Sequence, residues 1–211
     1  MTSRLLYVMD PMCSWCWGFA PVAGKLVEQA RAAGVPLALV MGGLRTGQGA
    51  ALEPTTKRYI LEHWHAVHDA TGQPFRFEDA LPDGFVYDTE PACRAVVTAR
   101  RLDEDCAWAL VGEIQRAFYA EGRDVTQAGV LTELAEQVGL PRIEFAEAFD
   151  SQDNHLATLA DFSWARDLGI AGFPTLLAER DGQLALLTNG YQPLGELAPL
   201  LERWLERGRH A

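Results

Sequence analysis

The chain has 211 residues, of which 48% are hydrophobic and 22% are charged, and its formal net charge at pH 7 is -11. This length and composition predict a folded globular protein that can bury a sizeable core. The acidic balance argues against a nucleic-acid-binding protein, because neutralising phosphates takes a basic surface. Four cysteines in a chain of this kind do not suggest a disulfide-stabilised scaffold.

The apolar stretches are too short to span a bilayer, so no membrane partner is expected. Near the N-terminus one arginine precedes a five-residue apolar run, Leu5–Met9, with no small-residue cleavage site after it. That pattern is typical of a strand and not of a signal peptide. We therefore expect a cytoplasmic protein, in a compartment where disulfides are usually transient and catalytic.

The hydrophobic pattern predicts strand, helix, strand, a long helical stretch, then two strands and a closing helix. At the N-terminal end, the prediction is a strand over residues 4–9, a helix over 13–33 ended by Gly34, and a strand over 36–41. The predicted helices of the middle region are 55–70, 90–101, 104–120, 126–138, 142–149 and 151–168, with Thr126 as an N-cap and Gly139 after a C-terminus. Only Phe85–Tyr87 has some strand character there. The C-terminal prediction is strands over 174–179 and 184–188, joined by a turn, and a helix over 194–207.

A Cys-x-x-Cys motif, Cys13-Ser14-Trp15-Cys16, follows the first predicted strand and begins the first predicted helix. The free N–H groups and the dipole at a helix N-terminus favour an anion, so the Cys13 thiolate should form at lower pH than usual. Cys16, one turn later on the same face, is positioned to attack a mixed disulfide on Cys13. The motif alone also fits half of a zinc site, but its position directly after a strand favours thiol–disulfide exchange.

Three segments carry a resemblance to a known family: residues 10–18, which hold the Cys-x-x-Cys motif, residues 118–124, and residues 165–175. They resemble the DsbA family of the thioredoxin superfamily, and within it the signal-less bacterial branch that includes FrnE-like proteins. The resemblance covers nearly the whole chain. It implies an α/β thioredoxin fold with a large all-helical insertion. Residues 1–43 and 170–211 would form the thioredoxin-like domain, and residues 44–169 the helical insertion.

The same resemblance implies a thiol–disulfide oxidoreductase, acting as an oxidase, isomerase or reductase, with Cys13 and Cys16 as the catalytic pair. Pro174 is expected to be the cis-proline that packs against the two sulfurs. Phe173 would offer backbone hydrogen bonds to an extended substrate, and Thr175 belongs to the same substrate-positioning segment.

Ser14 and Trp15 separate the two cysteines and are expected to tune the stability of the thiolate. They differ from the Pro-His and Gly-Pro pairs of better-known relatives, so the reduction potential does not follow from the resemblance. The expected substrates are thiol- or disulfide-containing proteins or small molecules. No cofactor is expected, with glutathione as the alternative co-substrate.

Other candidate residues favour a structural interpretation. If the helices that carry Cys93 and Cys106 form an antiparallel hairpin, the two residues lie on the order of 10 Å apart along the axis, beyond the ~7 Å Cα limit for a disulfide. Both are therefore expected to be buried free thiols. His63, His65 and His68 share one segment but lack the HExxH spacing, so a polar helix face is favoured over a metal site.

Two alternatives stay open at this point. In the first, the protein is a glutathione-dependent transferase or isomerase acting on a small molecule, and Cys13 only stabilises a bound thiolate. Relatives with that chemistry usually carry a single serine near the position of Cys13, so the retention of Cys16 favours dithiol chemistry. In the second, the Cys-x-x-Cys motif belongs to a non-catalytic binding domain that holds zinc.

Overall fold

The structure is a computed structural model that describes residues 2–209. One sheet contains the strands β1 (Ser3–Met9), β2 (Leu37–Met41), β3 (Thr175–Arg180) and β4 (Gln183–Asn189). Their order in the sheet is β2-β1-β3-β4. β1 is parallel to β2, whereas the β1–β3 and β3–β4 pairs are antiparallel. Both ends of the chain therefore contribute to the same sheet.

The helices are α1 (Ser14–Ala32), α2 (Pro54–Thr71), α3 (Glu90–Leu102), α4 (Glu104–Gln115), α5 (Ala128–Gln137), α6 (Arg142–Phe149), α7 (Gln152–Asp167) and α8 (Leu194–Arg209). A π-helix, Arg116–Ala120, continues α4. No helix within residues 2–209 is both long and apolar enough to cross a membrane.

β1 lies at the centre of the sheet, and its sequence explains why. Leu5–Met9 is an unbroken apolar run, and each of these five residues is buried. Such a run, instead of an alternating pattern, is typical of a strand that is covered on both faces. The chain then enters α1, whose buried residues include Cys16, Phe19 and Leu26. This helix therefore packs its apolar side against the core.

The end of α1 has a local cause in Gly34. This glycine has a φ of +78°, a left-handed conformation that residues with a Cβ seldom adopt. Its N–H donates to the Arg31 carbonyl, and the Val35 N–H donates to the Ala30 carbonyl. These bonds satisfy carbonyl groups that the last helical turn leaves free. The chain is thereby turned into β2, as the sequence predicted.

Each predicted strand and helix lies within two residues of an observed one, with two exceptions. The predicted helix over residues 104–120 is α-helical only to Gln115, after which it widens into the π-helix. The second exception is Phe85–Tyr87, which has strand character in the sequence but forms no strand in the structure. Phe85 and Tyr87 are buried and Val86 is half-buried, so burial alternates as in a strand, but the segment pairs with no strand of the described chain.

The predicted N-cap at Thr126 is also wrong, because α5 begins one residue later with Gln127 as its N-cap. The Thr126 hydroxyl and N–H both donate to the carboxylate of Asp124, at 2.6 and 3.0 Å. Asp124 therefore organises a turn before the helix, and the Thr126 side chain is used there. Gly139 does follow the C-terminus of α5 and has a φ of +99°.

A single hydrophobic cluster runs through both parts of the chain, and includes Leu5 and Phe19 beside Trp64 and Leu110. The two predicted parts, a thioredoxin-like domain (1–43 and 170–211) and a helical insertion (44–169), therefore share one core. Their description as separate domains stays a proposal.

Candidate active site

Cys13 lies at the junction of β1 and α1, as the N-cap residue of the helix. Its backbone is extended, with φ -88° and ψ 118°, and its carbonyl accepts the N–H of Trp17 at 3.1 Å to begin the helix. The Cys13 N–H donates to the Asp10 carbonyl at 3.0 Å, and the Met12 N–H donates to the Asp10 carboxylate at 2.8 Å. Asp10 therefore holds the turn that presents Cys13 at the helix N-terminus.

The two thiols of the motif differ in their surroundings. Cys13 retains 6% of its accessible surface, and its Sγ lies 3.8 Å from the carbonyl oxygen of Phe173. Cys16 has no accessible surface. Burial raises the pKa of the Cys16 thiol well above its ordinary value, and a hydrogen bond with Cys13 and the charge of Cys13 raise it further. A reagent in solution can therefore approach Cys13 but not Cys16.

Pro174 and its neighbours complete the region around Cys13. The Phe173–Pro174 peptide bond is cis. The Thr175 hydroxyl is buried and donates to the Gly172 carbonyl at 2.8 Å, and it also contacts the Asn189 side-chain oxygen at 3.1 Å. These contacts tie the start of β3 to the end of β4, and so fix the segment whose carbonyl approaches Cys13.

Gly42, directly after β2, allows Phe173 to occupy its position. A Cβ added at Gly42 would lie only 2.0 Å from the Phe173 ring. At that distance the ring and the added Cβ cannot both keep their positions. A residue larger than glycine at position 42 would therefore displace the Phe173 ring from the cavity beside Cys13.

A cavity of about 340 Å³ opens beside Cys13. Its lining is mostly apolar and consists of Met12, Cys13, Ser14, Trp15, Leu44, Arg45, Tyr59, Ile60, His63, Trp64, Tyr87 and Phe173. The structure thus brings Cys13, Ser14, Trp15 and Phe173 to one cavity. Two larger cavities, of 450 and 700 Å³, adjoin the Gly34–Pro36 turn and contain no cysteine.

The three histidines predicted to share a polar face have separate surroundings. Only His63 lines the cavity beside Cys13, and its Nδ1 lies 2.9 Å from the Tyr59 carbonyl. His65 stacks on Phe77 at 3.9 Å, and His68 contacts the Gln73 carbonyl at 2.8 Å. Within residues 2–209, no three His, Cys, Asp or Glu side chains are grouped so as to hold a metal ion. The zinc-binding alternative therefore finds no ligand set in that range.

Comparison with known proteins assigns the fold. A profile of the DSBA-like thioredoxin domain family matches residues 4–202. The chain belongs to this family. The match confirms both the predicted DsbA-family resemblance and the predicted thioredoxin fold with its large helical part.

Two solved structures are similar to this chain over almost their entire length. One, from Nitrosomonas europaea, is provisionally described as a protein disulfide isomerase. It is 42% identical, with 98% of this chain and 99% of that chain covered and a TM-score of 0.91. The other is the cytosolic disulfide reductase DsbM from Pseudomonas aeruginosa. It is 31% identical, with coverage of 98% and 97% and a TM-score of 0.75.

Among curated proteins, the ClpXP adapter protein SpxH from Bacillus subtilis is 25% identical over 174 residues. That match covers 80% of this chain but 55% of the length of SpxH. The SpxH of Halalkalibacterium halodurans is 21% identical, with 93% of this chain and 66% of that protein covered. The chain therefore spans less than two thirds of the length of these curated relatives.

Asp10 is a site residue whose role sequence reasoning did not assign, although it lies within the resembling segment 10–18. It is fully buried, and burial raises the pKa of its carboxyl above the ordinary value. Hydrogen bonds from the Leu44 and Met12 N–H groups and from the Thr89 and Cys93 side chains act in the opposite direction. The sequence signal for Asp10 was that it is a single acidic residue directly after an apolar strand.

The remaining cysteines have unrelated partners. The Cys93 thiol is buried and donates to the Asp10 carboxylate at 3.3 Å, whereas the Cys106 thiol contacts the Val138 carbonyl at 3.4 Å. Both are free thiols, as predicted. Cys106 differs from the prediction in one respect, since it is only half-buried.

Proposed function

We propose that this protein is a thiol–disulfide oxidoreductase whose redox-active pair is Cys13 and Cys16. The observation that carries the proposal is the contrast between the two thiols. Cys13 borders an open cavity at the N-terminus of α1, and Cys16 is fully buried one turn behind it. The similarity to the cytosolic disulfide reductase DsbM supports the same chemistry and a cytoplasmic location.

The proposed reaction transfers two electrons between the protein and a substrate disulfide. The Cys13 thiolate attacks one sulfur of the substrate, forms a Cys13–substrate disulfide and releases the other sulfur as a thiolate. The Cys16 thiol then loses its proton and attacks the Cys13 sulfur, which releases the second substrate thiolate. The Cys13–Cys16 disulfide has formed and the substrate has been reduced. Oxidation of a substrate dithiol is the reverse sequence.

Residues around the pair would position the substrate. The Phe173 carbonyl, already within 3.8 Å of the Cys13 sulfur, would accept a hydrogen bond from an extended substrate. The cis-proline at Pro174 offers no N–H and would leave the Cys13 sulfur accessible on its open side. Thr175 would hold this segment through its bonds to Gly172 and Asn189.

Ser14 and Trp15 would tune the reactivity of Cys13. Both are half-buried at the cavity, and the Trp15 ring contacts Tyr191 with centroids 5.8 Å apart. Thiol- or disulfide-containing proteins or small molecules are the proposed partners. DsbM has been solved with glutathione, which supports glutathione as a co-substrate here.

Serine variants of the pair test the proposal in glutathione-driven insulin reduction. We expect both Cys13→Ser and Cys16→Ser to fall to the uncatalysed rate, because the two-step exchange needs both sulfurs. Cys16→Ser should also accumulate a Cys13–glutathione mixed disulfide, visible by intact mass, since nothing remains to resolve it. Cys106→Ser is the matched control and should keep full activity. Full insulin reduction by Cys16→Ser would overturn the two-cysteine mechanism.

The glutathione-dependent transferase or isomerase is the second candidate, and the cavity beside Cys13 favours it. With about 340 Å³ and mostly apolar lining, this cavity is of a size that accommodates a small molecule. In that case Cys16→Ser would keep most of its activity towards a glutathione-dependent small-molecule substrate. Cys13→Ser would lose that activity.

A further inference from the structure

We propose that Arg45 is the anion-binding residue of the cavity beside Cys13, and that it selects small disulfides carrying a carboxylate. This inference rests on the proposed thiol–disulfide exchange and adds to it the substrate class. It predicts that a charge on the substrate, and not only the reactivity of its disulfide, decides how well the substrate is bound.

The backbone of Arg45 is held in place from both sides. Its N–H donates to the Thr89 hydroxyl at 3.2 Å, and its carbonyl accepts the Thr89 N–H at 2.8 Å. Thr89 is the N-cap residue of α3 and is fully buried. The loop after β2 is therefore anchored to the helical part of the chain at this residue.

The Arg45 side chain extends from this anchor to the cavity. Its guanidinium carbon lies 5.7 Å from the centre of the Tyr87 ring, and the Tyr87 hydroxyl donates to the Met12 carbonyl at 2.6 Å. Met12 directly precedes Cys13. A ligand bound by the guanidinium would therefore lie beside the Cys13 thiol. The residues that position it, Tyr87 and Met12, are themselves joined by a hydrogen bond.

The guanidinium forms no salt bridge in the described part of the chain. Its Nε is buried without a hydrogen-bond partner. No carboxylate of residues 2–209 forms a salt bridge with it. The cavity lining contains no acidic side chain. The carboxylate of Asp10 accepts the Met12 and Leu44 N–H groups and forms no salt bridge with Arg45.

Although the net charge of the chain is -11, no carboxylate of the described residues forms a salt bridge with Arg45. Arg45 is only half-buried, so an anion that reaches the accessible part of its side chain gains a charge-assisted hydrogen bond. Carboxylates match the planar guanidinium fork in a bidentate manner. The size of the cavity favours a small molecule over a protein segment. We therefore assign the site to disulfides such as those of short acidic thiol peptides.

Three disulfides that differ in charge test the assignment. Reduced protein is mixed with excess glutathione disulfide, hydroxyethyl disulfide or cystamine, which are anionic, neutral and cationic, and acid-quenched samples are analysed by intact mass. We expect Arg45→Met to raise the apparent dissociation constant for glutathione disulfide roughly tenfold to a hundredfold with its limiting rate unchanged. Hydroxyethyl disulfide should react as before, and cystamine faster.

Two further variants and one inert ligand complete the test. Arg45→Lys should give an intermediate constant, since it keeps the charge but loses the fork. Arg203→Met, which removes an exposed arginine of α8, is the charge-matched control and should change nothing. Calorimetric binding of S-methylglutathione, which cannot exchange, should weaken by the same factor in Arg45→Met.

Equal losses with all three disulfides, or no loss with any, would overturn the role of Arg45. If the wild-type protein reacted with none of them, the proposed oxidoreductase function would fail. The role of Arg45 would still be decided by S-methylglutathione. Binding that is weakened in Arg45→Met would support it, and binding that is absent from the wild type or unaffected by the variant would refute it.

Discussion

At the scale of single residues, Cys13 and Cys16 are three positions apart yet differ in their exposure to solvent. Cys13 borders the cavity, whereas burial raises the pKa of Cys16 well above its ordinary value. The negative charge of Asp10 raises the pKa of Cys16 further, and a hydrogen bond from the Asp10 backbone lowers it. Cys16 is therefore mostly protonated over the physiological pH range, and its small thiolate fraction limits its attack on a mixed disulfide.

The raised pKa of Cys16 predicts the pH dependence of the resolving step. Only the thiolate attacks, so resolution of the Cys13–substrate disulfide should accelerate about tenfold per pH unit between pH 7 and pH 9. The charge of Cys13 is absent once the mixed disulfide has formed, but burial, the largest cause of the shift, remains. Single-turnover release of the second substrate thiol measures this step, with Cys16→Ser as the zero control. A resolution rate that is level above pH 7 would contradict it.

At the scale of elements, the β2 edge of the sheet is joined to the helical part by side chains. β2 is an edge strand, and Asp161 of α7 accepts its Met41 N–H at 2.9 Å. Arg100 of α3 donates to the β2 carbonyl of Leu39 and to both oxygens of Asp161, at 2.9 and 3.0 Å. The two side chains take the place of a neighbouring strand, and so satisfy backbone groups that would otherwise stay unpaired.

Arg100→Met should lower the free energy of unfolding by about 2–4 kcal/mol. The variant leaves the largely buried Asp161 carboxylate without its partner and the Leu39 carbonyl without a donor. Urea unfolding monitored by circular dichroism measures the change. Arg142→Met is the matched control, because Arg142 pairs with Glu136 on the open surface, and it should cost less than about 0.5 kcal/mol. Similar losses for the two variants would show that the edge contact contributes nothing special.

Most elements followed from local sequence patterns, and the exceptions have physical causes. The apolar run of β1 and the glycine after α1 each specify a conformation by themselves. The Phe85–Tyr87 segment has the alternating pattern of a strand because its alternate side chains face the core. The π-helix, Arg116–Ala120, has no distinctive composition, because its residues look like a continuation of α4. Widening of that turn depends on tertiary packing.

At the scale of the whole molecule, the site is assembled from segments that are distant in sequence. Cys13 and Phe173, both predicted to belong to the site, lie in contact although they are 160 residues apart in sequence. The Phe173–Pro174 bond is cis. The family resemblance was the only feature of the sequence that predicted this contact. Arg45 lies in a loop without any periodic pattern and is held by Thr89, 44 residues later. No local signal could have assigned it to the site.

One dithiol, Cys13 with Cys16, is the proposed redox centre of the molecule. Equilibration of the protein in glutathione buffers of graded potential, followed by acid quenching, intact mass and peptide mapping, tests it most directly. We predict a single two-electron transition, in which a Cys13–Cys16 disulfide forms while Cys93 and Cys106 stay reduced. A Cys93–Cys106 bridge, or a protein that only becomes glutathionylated at Cys13 without forming the internal disulfide, would contradict the claim.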